Sequence, residues 1–301
     1  MNPDSPAEIR ALLEERGLAL KKRWGQNFLV NRGARERLVS ILDPGLRDTV
    51  WEIGPGLGAM TAALAAAAGR VLAFEVDRGL CRYLEESLAG LSNVTLVPGD
   101  FLQTWREARE SYGPPHLVLG NLPYRSASLM IGDMIEAGLR PARMVFTVQR
   151  ELADRMSSLP GVKSYSSFSV LCQACFRVTG RGDLQPGSFY PAPDVVSSIV
   201  EMTPLPDAPA AAELAALSGI ARTLFASRRK TIRNNARDPA LQEALRREGV
   251  DPGLRAEQVP PSVYVRIARV IARGSSSGGA LPGETPGSPG RAGTSADDNS
   301  P

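Results

Sequence analysis

Thr49-Val50-Trp51-Glu52-Ile53-Gly54-Pro55-Gly56-Leu57-Gly58 is a short apolar strand that runs straight into three closely spaced glycines. An Ala-rich helix over Ala59–Ala68 follows. Strand, Gly-rich loop and helix in that order open a nucleotide-binding α/β fold, because the loop lets backbone approach a ligand at the carboxyl end of the strand. The spacing is not G-x-G-x-x-G, since position 59 is Ala and the loop contains Pro55. A second strand, Arg70–Phe74, ends in Glu75-Val76-Asp77. An acidic residue there, about twenty residues after the loop, is placed to accept hydrogen bonds from a ribose diol. Glu75 is the better candidate, because Asp77 can cap a helix over Arg78–Leu88. A third strand, Val94–Val97, ends at Gly99-Asp100-Phe101, where a carboxylate beside an aromatic suits an adenine amine and ring. Asp100 also reads as a cap for the helix over Leu102–Arg109, and the two roles are compatible.

The fourth strand, His116–Gly120, leads into Asn121-Leu122-Pro123-Tyr124. Asn offers an acceptor and a donor, Pro fixes the backbone and brings a carbonyl without an N–H, and Tyr presents a flat face. Together they suit a planar heterocycle with an exocyclic amine; read alone, the four residues could equally be a turn that ends a strand. A helix over Ser126–Ala137 and a fifth strand, Arg143–Val148, continue the alternation. The pattern predicts an open α/β sheet with its ligand-binding strand ends on one edge.

Before this sheet come a short helix over Ala7–Arg16 and the segment Leu20-Lys21-Lys22-Arg23-Trp24-Gly25-Gln26-Asn27-Phe28-Leu29, three cations followed by aromatics and amides. It reads either as an amphipathic linker or as a loop reaching over a ligand and a phosphate backbone. An amphipathic helix over Ala34–Leu42 follows. After the fifth strand, Phe168, Leu171, Cys172 and Cys175 share one helical face, so the Cys pair reads as core packing rather than a redox or zinc pair. Phe189-Tyr190-Pro191-Ala192-Pro193 reads as a stiff loop exposing two aromatics near the sheet edge, ahead of a final strand over Val195–Met202. Thr203-Pro204-Leu205-Pro206 reads as a linker. Helices are expected over Ala211–Ala226, Pro239–Glu248 and Ser262–Ala272, with Arg228, Arg229, Lys230 and Arg233 clustered between the first two. From Gly274 onward Gly, Ser, Pro and Ala dominate, which predicts a disordered tail. The expected organisation is an N-terminal helical extension (1–17), the sheet domain (18–205), a basic helical domain (206–273) and the tail (274–301).

Net charge is +3 over 301 residues, but residues 206–273 hold twelve Lys/Arg against seven Asp/Glu. A basic lobe on an otherwise near-neutral chain points to a polyanionic partner. No run of eighteen apolar residues marks a membrane span, no signal-peptide core is present, and three cysteines make no disulfide framework. A cytoplasmic protein is expected. One histidine, His116, leaves little room for a His base or a His-rich metal site, so no metal is expected.

Five segments in order carry a resemblance to a known family: Lys22–Leu29, Glu52–Gly58 (E-I-G-P-G-L-G, closer to the methyltransferase form of this loop than to the dinucleotide form), Gly120–Tyr124, Phe189–Pro193 and Phe225–Asn234. The chain resembles the bacterial small-subunit rRNA adenine dimethyltransferases, the KsgA/RsmA family, over nearly all of residues 18–272. The resemblance implies a Rossmann-like class I methyltransferase sheet with a small all-helical C-terminal domain. It also implies S-adenosylmethionine as donor, with S-adenosylhomocysteine as product, held by Asn27, Leu29, Gly54, Gly56, Glu75, Asp100, Phe101 and Asn121. Asn121, the carbonyl of Pro123 and the ring of Tyr124 would hold the acceptor adenine, the first two accepting hydrogen bonds from its N6 amine. Lys21, Lys22, Arg23, Phe189, Tyr190, Arg228, Arg229, Lys230 and Arg233 would contact RNA. The implied target is a pair of adjacent adenosines near the 3′ end of 16S rRNA in the small subunit, met by a monomer. A large-subunit methyltransferase of the macrolide-resistance type and a non-catalytic assembly factor are the alternatives. Two positions depart from the family pattern: Arg125 stands where a small polar residue usually follows the Tyr, and Asp194-Val195-Val196 where Lys and then Asp are usual.

Overall fold

The computed structural model describes residues 1–20 and 25–276. Its centre is a seven-stranded sheet. Five strands are parallel: β2 (Thr49–Ile53), β3 (Arg70–Glu75), β4 (Val94–Pro98), β5 (Leu117–Asn121) and β6 (Arg143–Gln149). β9 (Ser197–Pro204) pairs antiparallel with β6 and with the edge strand β7 (Phe176–Leu184). The order β4-β3-β2-β5-β6-β9-β7 reverses at β2, whose neighbours are β3 and β5. Such a reversal opens a crevice at the carboxyl ends of the two central strands, where ligands bind. Ile53 pairs with Gly120 in that register, so the Gly54 loop and Asn121 leave the sheet side by side. This is the expected Rossmann-like sheet, closed at one edge by an antiparallel hairpin.

The central strands are apolar throughout because helices cover both faces. One face packs α5 (Phe101–Tyr112), α6 (Ala127–Glu136) and α8 (Ser167–Cys175) around Trp51, Phe74, Trp105 and Phe146. The other packs α2 (Arg32–Leu42) and α3 (Ala59–Ala67) around Leu38, Val50, Leu64 and Val145. α4 (Arg78–Ser87) is started by Asp77, whose side chain accepts the N–H of Gly79, and α7 (Arg150–Ser157) follows β6 directly. Cys172 and Cys175 are buried in the first core, as their spacing predicted.

The C-terminal region is helical, as expected: α9 (Ala211–Phe225), α10 (Ile232–Asn235), α11 (Pro239–Arg247) and α12 (Pro261–Ser276). Leu214, Leu217, Leu224 and Tyr264 join the same apolar cluster as the sheet face, so the lobe has no separate core. The expected linker is a structural element too, since β9 includes Thr203 and Pro204. α12 runs on past Gly274 to Ser276, and the rest of the expected tail lies outside the described residues. α1 (Pro6–Glu15) packs Ile9 and Leu13 against Val30, Leu57 and Leu80. Beside it a two-residue ribbon pairs β1 (Phe28–Leu29) with β8 (Phe189–Tyr190).

That ribbon corrects one expectation. Phe189 is 4% exposed and belongs to the core beneath β1, while Tyr190 is half-buried and its hydroxyl accepts from Nε of Arg10 at 3.2 Å. The two aromatics are therefore not a free RNA-stacking surface: strand pairing turns Phe189 inward, and α1 covers Tyr190.

Candidate active site

Two open clefts of about 770 and 870 Å³ lie over the carboxyl ends of β2, β3 and β5, and both are bordered by Gly25, Gly54, Glu75, Val76 and Pro123. In the first, the loop after β2 turns under Phe28. Gly56 has φ +59°, and a Cβ there would come within 3.0 Å of the Phe28 ring. Only glycine permits that approach together with that backbone. Asn27 and Leu29 line this cleft from β1 and the loop before it.

Glu75 sits on the floor between the clefts, 4% exposed. Its Oε2 accepts from the N–H of Gly56 at 3.3 Å and its Oε1 from that of Asp77 at 2.9 Å. Burial outweighs these bonds and pushes its carboxyl up to about 7. Glu52, one strand over, is fully buried; burial and the neighbouring Glu75 raise it to about 7 as well. Neither of its oxygens makes a well-formed hydrogen bond, although the Thr61 hydroxyl is close by. Glu75 gives the clefts an acidic floor, and Glu52 lies buried behind it.

In the second cleft Asp100 lines the wall, and its Oδ1 caps α5 by accepting from the N–H of Leu102 at 3.0 Å. Capping and cleft-lining coexist, since a carboxylate has more acceptor sites than the one bond uses. The Phe101 ring closes the floor but is 3% exposed, packed edge-on to Phe74 and stacked on Trp105. It supports the cavity rather than projecting into it.

Asn121 is the last residue of β5 and lines the first cleft. Its Nδ2 donates to the carbonyl of Asn27 at 2.7 Å, and Asn27 is in turn folded back, its Nδ2 donating to the carbonyl of Gly25 at 3.3 Å. That bond fixes the orientation of the amide and leaves Oδ1 as an acceptor without a donor among the described residues. The following backbone corrects a second expectation. The carbonyl of Pro123 already accepts two hydrogen bonds, from the N–H groups of Ser126 (3.1 Å) and Ala127 (2.9 Å), which start α6. Both its lone pairs are committed. No described residue donates to the carbonyl of Leu122 or to that of Tyr124, so those oxygens are the free backbone acceptors at the end of the motif. Glycine at 120 leaves room for Leu122 to fold back beneath the strand: a Cβ there would lie 2.6 Å from the Leu122 side chain and 3.2 Å from the carbonyl oxygen of Ile53. Tyr124 is half-buried, its hydroxyl 2.6 Å from Oγ of Ser197, which pins the ring to the start of β9.

Sequence reasoning missed three contributors. Ser197 lies 73 positions from Tyr124, and no local signal links them. Arg35 lines the first cleft, is 8% exposed, donates from NH1 to the carbonyl of Leu29 at 2.7 Å and pairs with Asp4. A signal existed there: Arg35 stands at helical spacing with the buried Leu38 and Leu42, a charge on an apolar stripe. Pro3 and Ile9 bring the N-terminal segment into the cleft wall. His116 sits at the opposite end of the sheet, its Nδ1 accepting from the N–H of Thr49 at 3.0 Å. Among the described residues no group of three or more His, Cys, Asp or Glu is placed to hold a metal ion.

The basic cluster divides. Arg228 is braced internally, donating to Glu257 at 2.9 Å and to the carbonyl of Lys163 at 2.8 Å, so it is not a free phosphate contact as expected. Arg229, Lys230 and Arg233 are exposed, without a partner among the described residues. Asn235 stiffens their turn by donating to the carbonyls of Leu224 and Ser227. Lys21, Lys22 and Arg23 lie outside the described residues.

The site thus combines a glycine cradle, an acidic floor and an amide held with its oxygen free, and comparison with known proteins gives the family. A family model described as ribosomal RNA adenine dimethylase matches residues 17–273. The chain belongs to that family. The ribosomal RNA small subunit methyltransferase A of Treponema pallidum is 41% identical over 273 residues, 87% of this chain and 94% of that protein. The protein of the same name from Borreliella burgdorferi is 34% identical over 276 residues, 90% and 95% of the two chains. Among solved structures, a dimethyladenosine transferase from Plasmodium falciparum superposes with a TM-score of 0.66 at 20% identity, covering 79% of this chain and 94% of that one. The 23S rRNA methyltransferase ErmE superposes at 0.61 and 24% identity, covering 81% and 99%. At these identities the structural likenesses speak for the fold.

Proposed function

We propose that this protein transfers methyl groups from S-adenosylmethionine to N6 of two adjacent adenosines in a loop near the 3′ end of 16S rRNA, dimethylating each. The observation that carries the reading is Asn121: one N–H of its amide is held by the carbonyl of Asn27, which orients the side chain and leaves Oδ1 to act beside the unused carbonyl of Leu122. An adenine N6 lone pair is delocalised into the ring and is weakly nucleophilic. Two acceptors taking its N–H bonds draw the nitrogen towards sp³ geometry and free the lone pair. Tyr124, held by Ser197, stacks on the base once it is splayed out of the RNA loop. Donor-binding residues follow from the cleft. Glu75 accepts from ribose hydroxyls, Asp100 from the adenine amine, and the Gly54–Gly56 backbone with Asn27 and Leu29 encloses the amino-acid end. The bound donor supplies a sulfonium methyl as electrophile, and S-adenosylhomocysteine leaves. Most of the rate is positioning, and the amine proton departs to solvent without a dedicated strong base.

Residues 18–205 serve as the transfer domain, and residues 206–273 dock on the small subunit through Arg229, Lys230 and Arg233. The protein works as a cytoplasmic monomer in small-subunit biogenesis; no helix among the described residues is long and apolar enough to cross a membrane. Incubating it with labelled donor and undermethylated small subunits, followed by primer extension across the 3′ end of the rRNA, tests the reading. Stops at two adjacent adenosines are expected. Absence of transfer, or transfer to large-subunit RNA instead, would overturn it.

A further inference from the structure

We propose that Arg125 holds a phosphate of the acceptor strand, making it a positioning residue of the acceptor site; the inference rests on the adenine-methylating reading above. Arg125 lines the second cleft and is the one cation among its described lining residues, which also include Glu75 and Asp100. It is exposed and has no hydrogen-bond or ion-pair partner among the described residues. Its fellow arginines around the sheet behave differently: Arg106 pairs with Asp133 at 2.7 Å, Arg143 with Glu201 at 3.1 Å and Arg150 with Asp183 at 3.6 Å. Asp100 does not capture it either, although both border one cleft.

The backbone beneath Arg125 is stiff. The Pro123 carbonyl takes the N–H groups of Ser126 and Ala127 on one side, and the Tyr124 hydroxyl is fixed on Ser197 on the other. A long cationic side chain is thus presented next to the ring on which the target base stacks, within reach of that nucleotide's backbone. Glu75 and Asp100 border the same cleft, yet neither pairs with Arg125, so its guanidinium is left to meet an anion that arrives from outside. The donor's own carboxylate belongs to the amino-acid end, in the first cleft, which Arg125 does not line. A phosphodiester of the RNA remains, and the planar fork of Arg suits its oxygens. This gives a physical role to the residue that departs from the family pattern after Tyr124.

Methylation kinetics on undermethylated small subunits test the proposal. Arg125→Ala should raise KM for subunits about threefold to fivefold and lower the slope of log affinity against log salt by roughly 0.7. The donor dissociation constant, measured by calorimetry, should stay put, and Arg125→Lys should restore the slope but only part of the affinity. Activity of the unsubstituted protein on the same subunits checks the parent reading separately. With that activity intact, an unchanged KM and salt slope in Arg125→Ala overturns the phosphate assignment. So does weakened donor binding with an unaltered slope, which would place Arg125 in the donor site.

Discussion

The turn after β5 and the turn after α9 both carry residues expected to meet RNA, and they are built on opposite principles. At Asn121–Tyr124 nearly every polar atom is already committed: Nδ2 of Asn121 to Asn27, the Pro123 carbonyl to α6, the Tyr124 hydroxyl to Ser197. What stays free among the described residues includes Oδ1 of Asn121 and the Leu122 carbonyl, two acceptors in fixed positions. At Ser227–Asn234 the backbone is braced by Asn235, but the side chains of Arg229, Lys230 and Arg233 are exposed without partners among the described residues. The first turn specifies where an atom must sit, and the second supplies charge with loose geometry. Chemistry needs the former, since a misplaced acceptor forfeits its effect; docking on a polyanion is served by the latter.

The comparison breaks most visibly at Asn121. Asn121→Ala should lower kcat on small subunits by about 10²–10³-fold while subunit affinity changes little; a variant of near-normal activity would remove Asn121 from the chemistry. The reverse pattern is expected of Arg229→Glu combined with Lys230→Glu. Subunit binding should weaken roughly tenfold at physiological salt, with a salt slope shallower by about 0.7 per lost contact. Donor affinity should be untouched, and binding indifferent to both reversals would show that this turn faces away from RNA. The smallest effect concerns Glu75. Its carboxyl, raised to about 7 by burial, must ionise to accept ribose hydroxyls well, so donor affinity should fall as pH drops from 8 to 6. The fall should reach at most about tenfold, and Glu75→Gln should flatten the profile at the weaker level. A pH-independent donor affinity in the unsubstituted protein would contradict that role. Stability runs the other way: between the ordinary carboxyl value of 4.5 and about 7, the unfolded chain has lost a proton that folded Glu75 keeps, so the unliganded fold weakens as pH rises.

How much of this was legible depended on the range of the interactions. The central strands announced themselves because each is a continuous apolar run buried on both faces. The glycines, Glu75, Asp100 and Asn121 were legible because each closes such a run. The edge strand β7 carried no such signal: only its two end residues, Phe176 and Leu184, are buried, and a bulge falls between Gly180 and Asp183. The ribbon of β1 with β8 joins residues about 160 positions apart through two register pairs, Phe28 with Tyr190 and Leu29 with Phe189. A strand two residues long has no period to read.

The sequence by itself determined the five parallel strands, the strand ends that form the site and the family to which the chain belongs, because strand burial and glycine conformation are properties of local stretches. Tertiary structure alone decided which of those groups are free. It spent the Pro123 carbonyl on α6, turned Phe189 into the core, tied Arg228 to Glu257, and left the Leu122 carbonyl and Arg125 without a partner among the described residues. A hydrogen-bonding group's availability depends on every donor and acceptor that the fold brings to it, and those come from anywhere along the chain.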